Sequence, residues 1–323
     1  MVSSATYFAL VEDDLEQLSE NLVQLVGAKN PVLAKAAEYL FKAGGKHLRP
    51  ALVMLAARAT ALDGEPTARH RRLAEITEMI HTASLVHDDV IDRASLRRQQ
   101  PTVNALFGDK AAVLAGDFLF AKSSIYLARL RNLEVVELLS TIIDHFAEGE
   151  IRQMQQAFDP DLTFEDYLLK NFYKTGSLIA NSCRAAAVLS EVSESQCQSL
   201  YDYGQHLGAA FQLVDDLLDF TATTETLGKP VASDLASGHM TAPVLYALVE
   251  YPELRGLIES QFEEPGSFEE SLVLIHRSHG VEQTMTLAQS YAQRARFALE
   301  ALPPSPARHA LMEVTDYVLE RVY

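Results

Sequence analysis

Residues 72–93 read RLAEITEMIHTASLVHDDVIDR, and residues 207–220 read LGAAFQLVDDLLDF. Each is an apolar run that closes on the same acidic pattern: Asp88-Asp89-Val-Ile-Asp92 in the first, Asp215-Asp216-Leu-Leu-Asp219 in the second. Positions i and i+4 share one face of a helix, so Asp88 projects beside Asp92, and Asp215 beside Asp219. A helix that is apolar around most of its circumference belongs in a core. These runs therefore predict central, buried helices with carboxylates at their ends.

Such ends are costly. Like charges one turn apart repel, and carboxylates at a helix C-terminus oppose its dipole. Something cationic has to sit there. Mg²⁺ fits, because it takes carboxylate oxygens and keeps positions for phosphate and water. One copy of Asp-Asp-x-x-Asp could be a solvated acidic helix end. Two copies at identical spacing, each after an apolar run, are poorly explained by chance. Two facing triads would hold a cluster of Mg²⁺ over one diphosphate and let a carbon–oxygen bond ionise. Paired-carboxylate acid–base chemistry accounts for them less well, since six aspartates exceed what it requires.

The remainder of the chain carries helical patterning. Phe8, Val11, Leu15, Leu18, Leu22 and Leu25 keep helical spacing. Asn30-Pro31 is a helix start. Helices are expected over 48–62, 72–93, 109–130 and 132–156. Thr163 and Ser193 open capping boxes for helices beginning near 164 and 194, the second reaching about Phe220. A Thr-, Gly- and Ser-rich segment spans 221–238, and helices return over 240–249, 253–261, 268–277, 281–301 and 305–321. No strand alternation appears, and the Asp63–Gly64 dipeptide ends a helical segment. No repeat or linker divides the 323 residues, so residues 1–323 read as one all-α domain, a single large helical bundle.

Composition narrows the function. A net charge of −17 argues against nucleic acid, which needs a basic footprint. It also means that an anionic substrate must be met by local cations. Two cysteines, Cys183 and Cys197, form no zinc or disulfide pattern and suit a reducing, cytoplasmic setting. The N-terminal stretch lacks the pattern of a signal peptide, and no charge-free apolar stretch is long enough for a membrane span.

Three segments could supply the cations. Gly44-Gly45-Lys46-His47-Leu48-Arg49-Pro50 is a glycine turn bearing Lys46 and Arg49, suited to phosphate or else an ordinary helix-to-helix turn. Arg97 and Arg98 follow the first triad on a loop that could fold over it. His81 lies two turns before Asp88 on nearly the same face; the plainer alternative is a satisfied core histidine. Lys174-Thr175-Gly176, Phe211-Gln212 and Gly228-Lys229-Pro230 are weak signals singly.

Together GGKHLRP, HTASLVHDDVIDRASLRR, KTG, FQLVDDLLD and GKPVASD resemble, in order and along nearly the whole chain, the trans-type prenyl diphosphate synthases. The resemblance implies an all-α bundle around a deep cavity, the isoprenoid synthase fold, and a homodimer. It implies that Asp88, Asp89, Asp92, Asp215, Asp216 and Asp219 carry about three Mg²⁺ ions on the allylic diphosphate, with Mn²⁺ able to substitute. Arg97, Lys174 and Lys229 would hold that diphosphate. Lys46, Arg49, His81 and Arg98 would hold isopentenyl diphosphate, with Phe211 packed beside it. Thr175 and Gln212 would place oxygen dipoles near the allylic cation. His47, Gly176, His239 and Ala242-Pro243 depart from the common pattern.

KNFYKTGSLIANSCRAAAV and GHMTAPVLYALVEYPELR are most similar to the solanesyl-type enzymes of cyanobacteria and plastids, which make the plastoquinone side chain. Ala83 and Ser84 precede the first triad. If they line the cavity, their small volume leaves room for a long product, where large aromatics would form a floor. The nearer competing reading is a geranylgeranyl diphosphate synthase. A class I terpene cyclase is more distant, because its second motif calls for Ser/Thr and Glu where Asp219 and Thr223 stand. A non-catalytic partner subunit would be expected to lack part of the triads.

Overall fold

The computed structural model describes residues 7–42, 47–61, 63–97, 99–221 and 231–321. They divide into two compact units built from discontinuous stretches. The first comprises Met1–Ile143, Leu178–Tyr201 and Leu299–Glu313. The second comprises Asp144–Ser177, Asp202–Ala298 and Val314–Tyr323.

The first unit contains α1 (Glu12–Val26), α2 (Pro31–Lys42), α3 (Leu48–Thr60) and α4 (Ala68–Ile91). After the turn that follows α4 come α5 (Val103–Phe107) and α6 (Asp109–Arg129). α7 (Leu133–Gln155) begins in this unit and ends in the second. α4 packs along α6 and α3, and Leu73, Ile76, Met79, Ile80 and Ala83 along it are fully buried. Each of the four larger side chains contributes roughly 1.5–3 kcal/mol by leaving water. The central, buried helix expected from residues 72–93 is present, but it starts earlier, at Ala68. Its N-terminus is closed by His70, whose Nδ1 accepts from the Thr67 backbone N–H at 3.0 Å. The His70 Nε2–H then donates to the Ala186 carbonyl at 3.1 Å.

One feature departs from the sequence expectation. A two-residue antiparallel hairpin, β1 (Leu96–Arg97) with β2 (Gln100–Pro101), pairs Leu96 with Pro101 and Arg97 with Gln100. It is too short to alternate. α6 is long and apolar enough, by length and composition, to cross a membrane, although it is not free of charge, with Asp117 and Lys122 along it. Here it lays Ala112, Ala115, Gly116 and Leu119 into the core and packs along α4.

The second unit contains α8 (Phe164–Asn171) and a π-helical turn, Phe172–Gly176. α9 (Ser177–Leu189) and α10 (Glu194–Thr221) each join the two units in sequence. Then come the one-turn α11 (Ser233–Ala236), α12 (Ala242–Glu250), α13 (Leu254–Glu259), α14 (Ser267–Arg277) and α15 (Gly280–Ala298). α16 (Pro306–Glu320) ends in this unit. The Ser193 box is reciprocal, with Gln196 N–H on Ser193 Oγ at 3.4 Å and Ser193 N–H on Gln196 Oε1 at 3.3 Å, while Thr163 caps its helix by accepting from Asp166 N–H at 3.1 Å and donating its hydroxyl to the Asp166 carboxylate at 2.6 Å. The all-α class expected from the sequence is the one observed.

α4 and α6 approach closely because residue 116 has no side chain. A Cβ there would lie 2.2 Å from Nε2 of His87, one residue before the first aspartate cluster. Gly116→Ala should destabilise the protein by roughly 1–3 kcal/mol through overpacking. Gly256→Ala in α13, where a Cβ meets nothing within 4 Å, should be neutral or stabilising by up to about 1 kcal/mol. Thermal melts of the two variants check both signs.

Candidate active site

In the first unit, the last turn of α4 carries Asp88 and Asp89, and Asp92 caps the helix with its N–H on the Asp88 carbonyl at 2.8 Å. Asp88 is half-buried, Asp89 buried and Asp92 exposed. The hairpin turns Arg97 back onto the helix, where Nε and Nη2 both lie 2.9 Å from Asp89 Oδ1. Burial pushes the Asp89 carboxyl above its usual range, and the Arg97 guanidinium works against that. The hairpin is tied down by Thr102 Oγ1, which donates to the Ala94 carbonyl at 2.7 Å.

Beside this end of α4 lies an open cleft with Tyr39, His47, His81, Asp89, Arg97 and Thr102 on its walls. Arg49 Nη1 sits 3.1 Å from His81 Nε2. The guanidinium can only donate, so that nitrogen accepts and the imidazole proton is on Nδ1. Arg49 and His81, read separately from the sequence as diphosphate contacts, are thus brought together. His47 is a different case: its Nδ1 faces Glu78 Oε1 at 3.2 Å, on a backbone with φ of 44°. Ala83 is fully buried, and Ser84 is half-buried with its hydroxyl donating to the His81 carbonyl at 2.9 Å. Neither lines this cleft.

In the second unit, the three aspartates of α10 differ in kind. Asp216 is buried, and its carboxylate accepts three hydrogen bonds: from Tyr167 Oη at 2.5 Å, Gln212 Nε2 at 3.1 Å and the Ala242 N–H at 3.2 Å. Asp219 is also buried and accepts from Ser233 Oγ and the Asp234 N–H, each at 3.1 Å, so it anchors the first turn of α11. Asp215 is the most exposed of the three. It pairs with Arg321 Nη2 at 2.8 Å, and the same guanidinium lies 4.2 Å over the Phe211 ring.

Thr175 Oγ1 donates to Gln212 Oε1 at 3.0 Å, which orients the amide so that its NH₂ reaches Asp216. The chain Thr175–Gln212–Asp216–Tyr167 therefore links the KTG segment to the second cluster. Lys174 Nζ lies 2.5 Å from Glu150 Oε2. Both Lys174 and Thr175 sit on the π-helical turn, a rare local geometry that recurs at functional sites. It passes α10 where two glycines meet: a Cβ on Gly208 would lie 2.6 Å from the Gly176 Cα. Burial pulls the Lys170 ammonium below its ordinary value, against the attraction of Asp216.

Lys46, Arg98 and Lys229 lie outside the described residues, as do Gly44, Gly45, Gly228 and Pro230. Among the described residues no three His, Cys, Asp or Glu side chains form a ready metal-binding group. The donor set is nonetheless all carboxylate oxygen, the chemistry hard divalent cations require. Sequence reading missed Tyr167, Lys170, Glu150 and Arg321. Each is an ordinary member of an amphipathic helix in sequence and gains its meaning only from a distant partner.

Burial pushes the Asp216 carboxyl up to about 6, against the hydrogen bonds from Tyr167, Gln212 and Ala242. The folded state therefore holds this proton more tightly than the unfolded chain does. Stability contributed by the protonated form is present below about pH 4 and is lost as pH rises to about 6, by up to about 3 kcal/mol. Denaturation of metal-free protein across pH 4–7 should show this fall, and Asp216→Asn should flatten it.

Residues 30–275 match the family model for polyprenyl synthetase. The chain is 58% identical over 323 residues, covering 100% of both proteins, to a prenyl transferase of Synechocystis sp.. It is 52% identical over 324 residues to the chloroplastic solanesyl-diphosphate synthase 2 of Oryza sativa subsp. japonica, covering 99% of this chain and 80% of that protein. The crystal structure of a polyprenyl synthase from Caulobacter crescentus, complexed with calcium and isoprenyl diphosphate, superposes with a TM-score of 0.91. Its identity is 33%, covering 99% of this chain and 98% of that one. With the helical fold and the two aspartate-ended helices in place, these matches establish that the chain is a prenyl transferase belonging to the polyprenyl synthetase family.

Proposed function

We propose that this enzyme condenses isopentenyl diphosphate onto an allylic diphosphate, with Mg²⁺, to give a long-chain, solanesyl-like all-trans polyprenyl diphosphate that serves as a quinone side-chain precursor such as that of plastoquinone. The observation that carries it is the pair of aspartate clusters, each at the end of a buried helix and each held by an arginine, Arg97 on Asp89 and Arg321 on Asp215. Both clusters attract cations. The likeness to the solanesyl-diphosphate synthase of rice supports the long product, and the calcium and isoprenyl diphosphate named for the Caulobacter structure support divalent metal and diphosphate.

In this reading residues 1–323 act as one domain. Asp88, Asp89, Asp92, Asp215, Asp216 and Asp219 form the metal-binding set, with Asp216 and Asp219 shaping the end of α10 and Asp215 presented outward. The divalent ions, about three per site, neutralise the leaving diphosphate. Arg97, Lys174 and Lys229 hold the allylic diphosphate; Lys46, Arg49, His81 and Arg98 hold isopentenyl diphosphate beside Phe211. The allylic C–O bond breaks with its electron pair leaving on diphosphate, the isopentenyl double bond supplies the pair for the new C–C bond, and a proton passes to the released diphosphate. Thr175 and Gln212 oxygens stabilise the allylic cation.

Purified protein with labelled isopentenyl diphosphate tests this. Turnover should stop with EDTA and return with Mg²⁺ or Mn²⁺, and Asp215→Asn should lower kcat by at least about 100-fold. Chromatography of the dephosphorylated product should show solanesyl-length chains, and Ala83→Phe shortens them if residue 83 borders the path of the growing chain. Products of geranylgeranyl length alone would favour the shorter-chain synthase. Absence of metal-dependent turnover would favour a non-catalytic subunit.

The working form is a cytoplasmic homodimer in this proposal. On α6, Leu114, Phe118, Ala121 and Ile125 recur at helical spacing, and Leu114 and Ile125 are 59% and 48% exposed. Such a stripe suits an isologous apolar contact. Sedimentation should find a dimer that Leu114→Glu with Ile125→Glu converts to monomer at unchanged helicity. A monomeric parent protein would refute this.

A further inference from the structure

Arg321 stands at the end of α16, and its guanidinium touches two functional candidates on α10. Nη2 is 2.8 Å from Asp215 Oδ1. The guanidinium carbon is 4.2 Å from the centre of the Phe211 ring, a cation–π distance. The side chain of Arg321 is 24% exposed and that of Asp215 35%, so water screens the pair only partly. Nη1 is buried and has no hydrogen-bond partner among the described residues. A fork with one arm committed and one donor unsatisfied is not at its best geometry for a carboxylate, where two parallel bonds are available.

Asp216 and Asp219, by contrast, have carboxylates tied to neutral donors of the protein: a phenol, an amide, a hydroxyl and backbone N–H groups. At Asp215 the protein itself supplies a full positive charge to the second cluster, the Arg321 guanidinium at 2.8 Å. A divalent cation seeking that carboxylate meets a cation already there, and two positive groups cannot share Oδ1 at bonding distance without strong repulsion.

We propose that Arg321 is a positioning residue that serves as an exchangeable counter-ion for Asp215: the guanidinium and a divalent cation occupy the carboxylate in turn, so Arg321 sets the metal affinity of the second cluster. This rests on the reading of that cluster as a metal site. The contact with Phe211 keeps the displaced guanidinium near the site, since stacking on the ring does not depend on the carboxylate.

The test is titration of the full-length protein with Mn²⁺ alone, followed by electron paramagnetic resonance, with no diphosphate present. Arg321→Met keeps an apolar stem over Phe211 and removes the charge; it should tighten Mn²⁺ binding roughly tenfold. Arg321→Lys, which retains charge without the fork, should fall between the parent and Arg321→Met. In an Asp215→Asn background, Arg321→Met should change nothing, whereas a through-space charge effect would persist there. Thermal melts confirm that each variant is folded. Unchanged or weakened Mn²⁺ binding in Arg321→Met, while Asp215→Asn still weakens it, overturns the exchange and leaves the metal site standing. If Asp215→Asn itself leaves Mn²⁺ binding unchanged, the metal site and the exchange fall together.

Discussion

Carboxylates crowded onto the C-terminal turns of buried helices are the constraint on which this structure turns. The helix dipole and mutual repulsion both disfavour them, and burial adds a desolvation cost. The protein answers four of the six aspartates, each with its own device. Arg97 folds back on a hairpin to reach Asp89; Tyr167, Gln212 and the Ala242 N–H surround Asp216; Ser233 and the Asp234 N–H hold Asp219; Arg321 reaches Asp215. Two of these partners come from very short elements, the two-residue hairpin and the one-turn α11.

Holding charge at a fixed point also demands a rigid backbone beneath it. α4 supplies that by burying side chains on several faces, and α6 can lie close to it because Gly116 leaves room for His87. In the second unit the meeting of Gly208 with Gly176 lets α10 pass close to the π-helical turn. That closeness puts Thr175 within 3.0 Å of Gln212. A larger residue at either crossing would move a functional side chain before it disturbed the fold as a whole, because packed interiors transmit displacement.

Local order was legible in the sequence, and long-range partnership was not. The periodicity of residues 72–93 and 207–220, the Thr163 and Ser193 boxes and the two i, i+4 aspartate pairs are all short-range patterns, and the observed helices follow them. The start of α4 was misplaced because His70 completes its box in place of the usual Glu or Gln. The hairpin escaped because two residues per strand cannot show a period. The inequality of Asp215, Asp216 and Asp219 was invisible, since spacing makes them look alike. It depends on Tyr167, 49 residues from Asp216 in sequence, and on Arg321 at the far end of the chain. The resemblance to prenyl synthases pointed to Arg49 and His81 separately, but not to their contact.

The overall acidity, a net charge of −17, need not conflict with an anionic substrate. Most carboxylates on a protein surface are hydrated and interact across a screening length of about 8–10 Å, so their sum says little about any one cleft. What a diphosphate meets is the local set. In the cleft of the first unit that set includes Arg97 and His81, with Arg49 hydrogen-bonded to the same histidine. Arg97 is committed to Asp89, so part of its charge is already compensated. A second anion added there without further positive charge would face net repulsion from the aspartates. In the proposed function, the six carboxylates that add to this acidity are the groups that call for divalent cations, so that binding metal and binding phosphate become one electrostatic requirement.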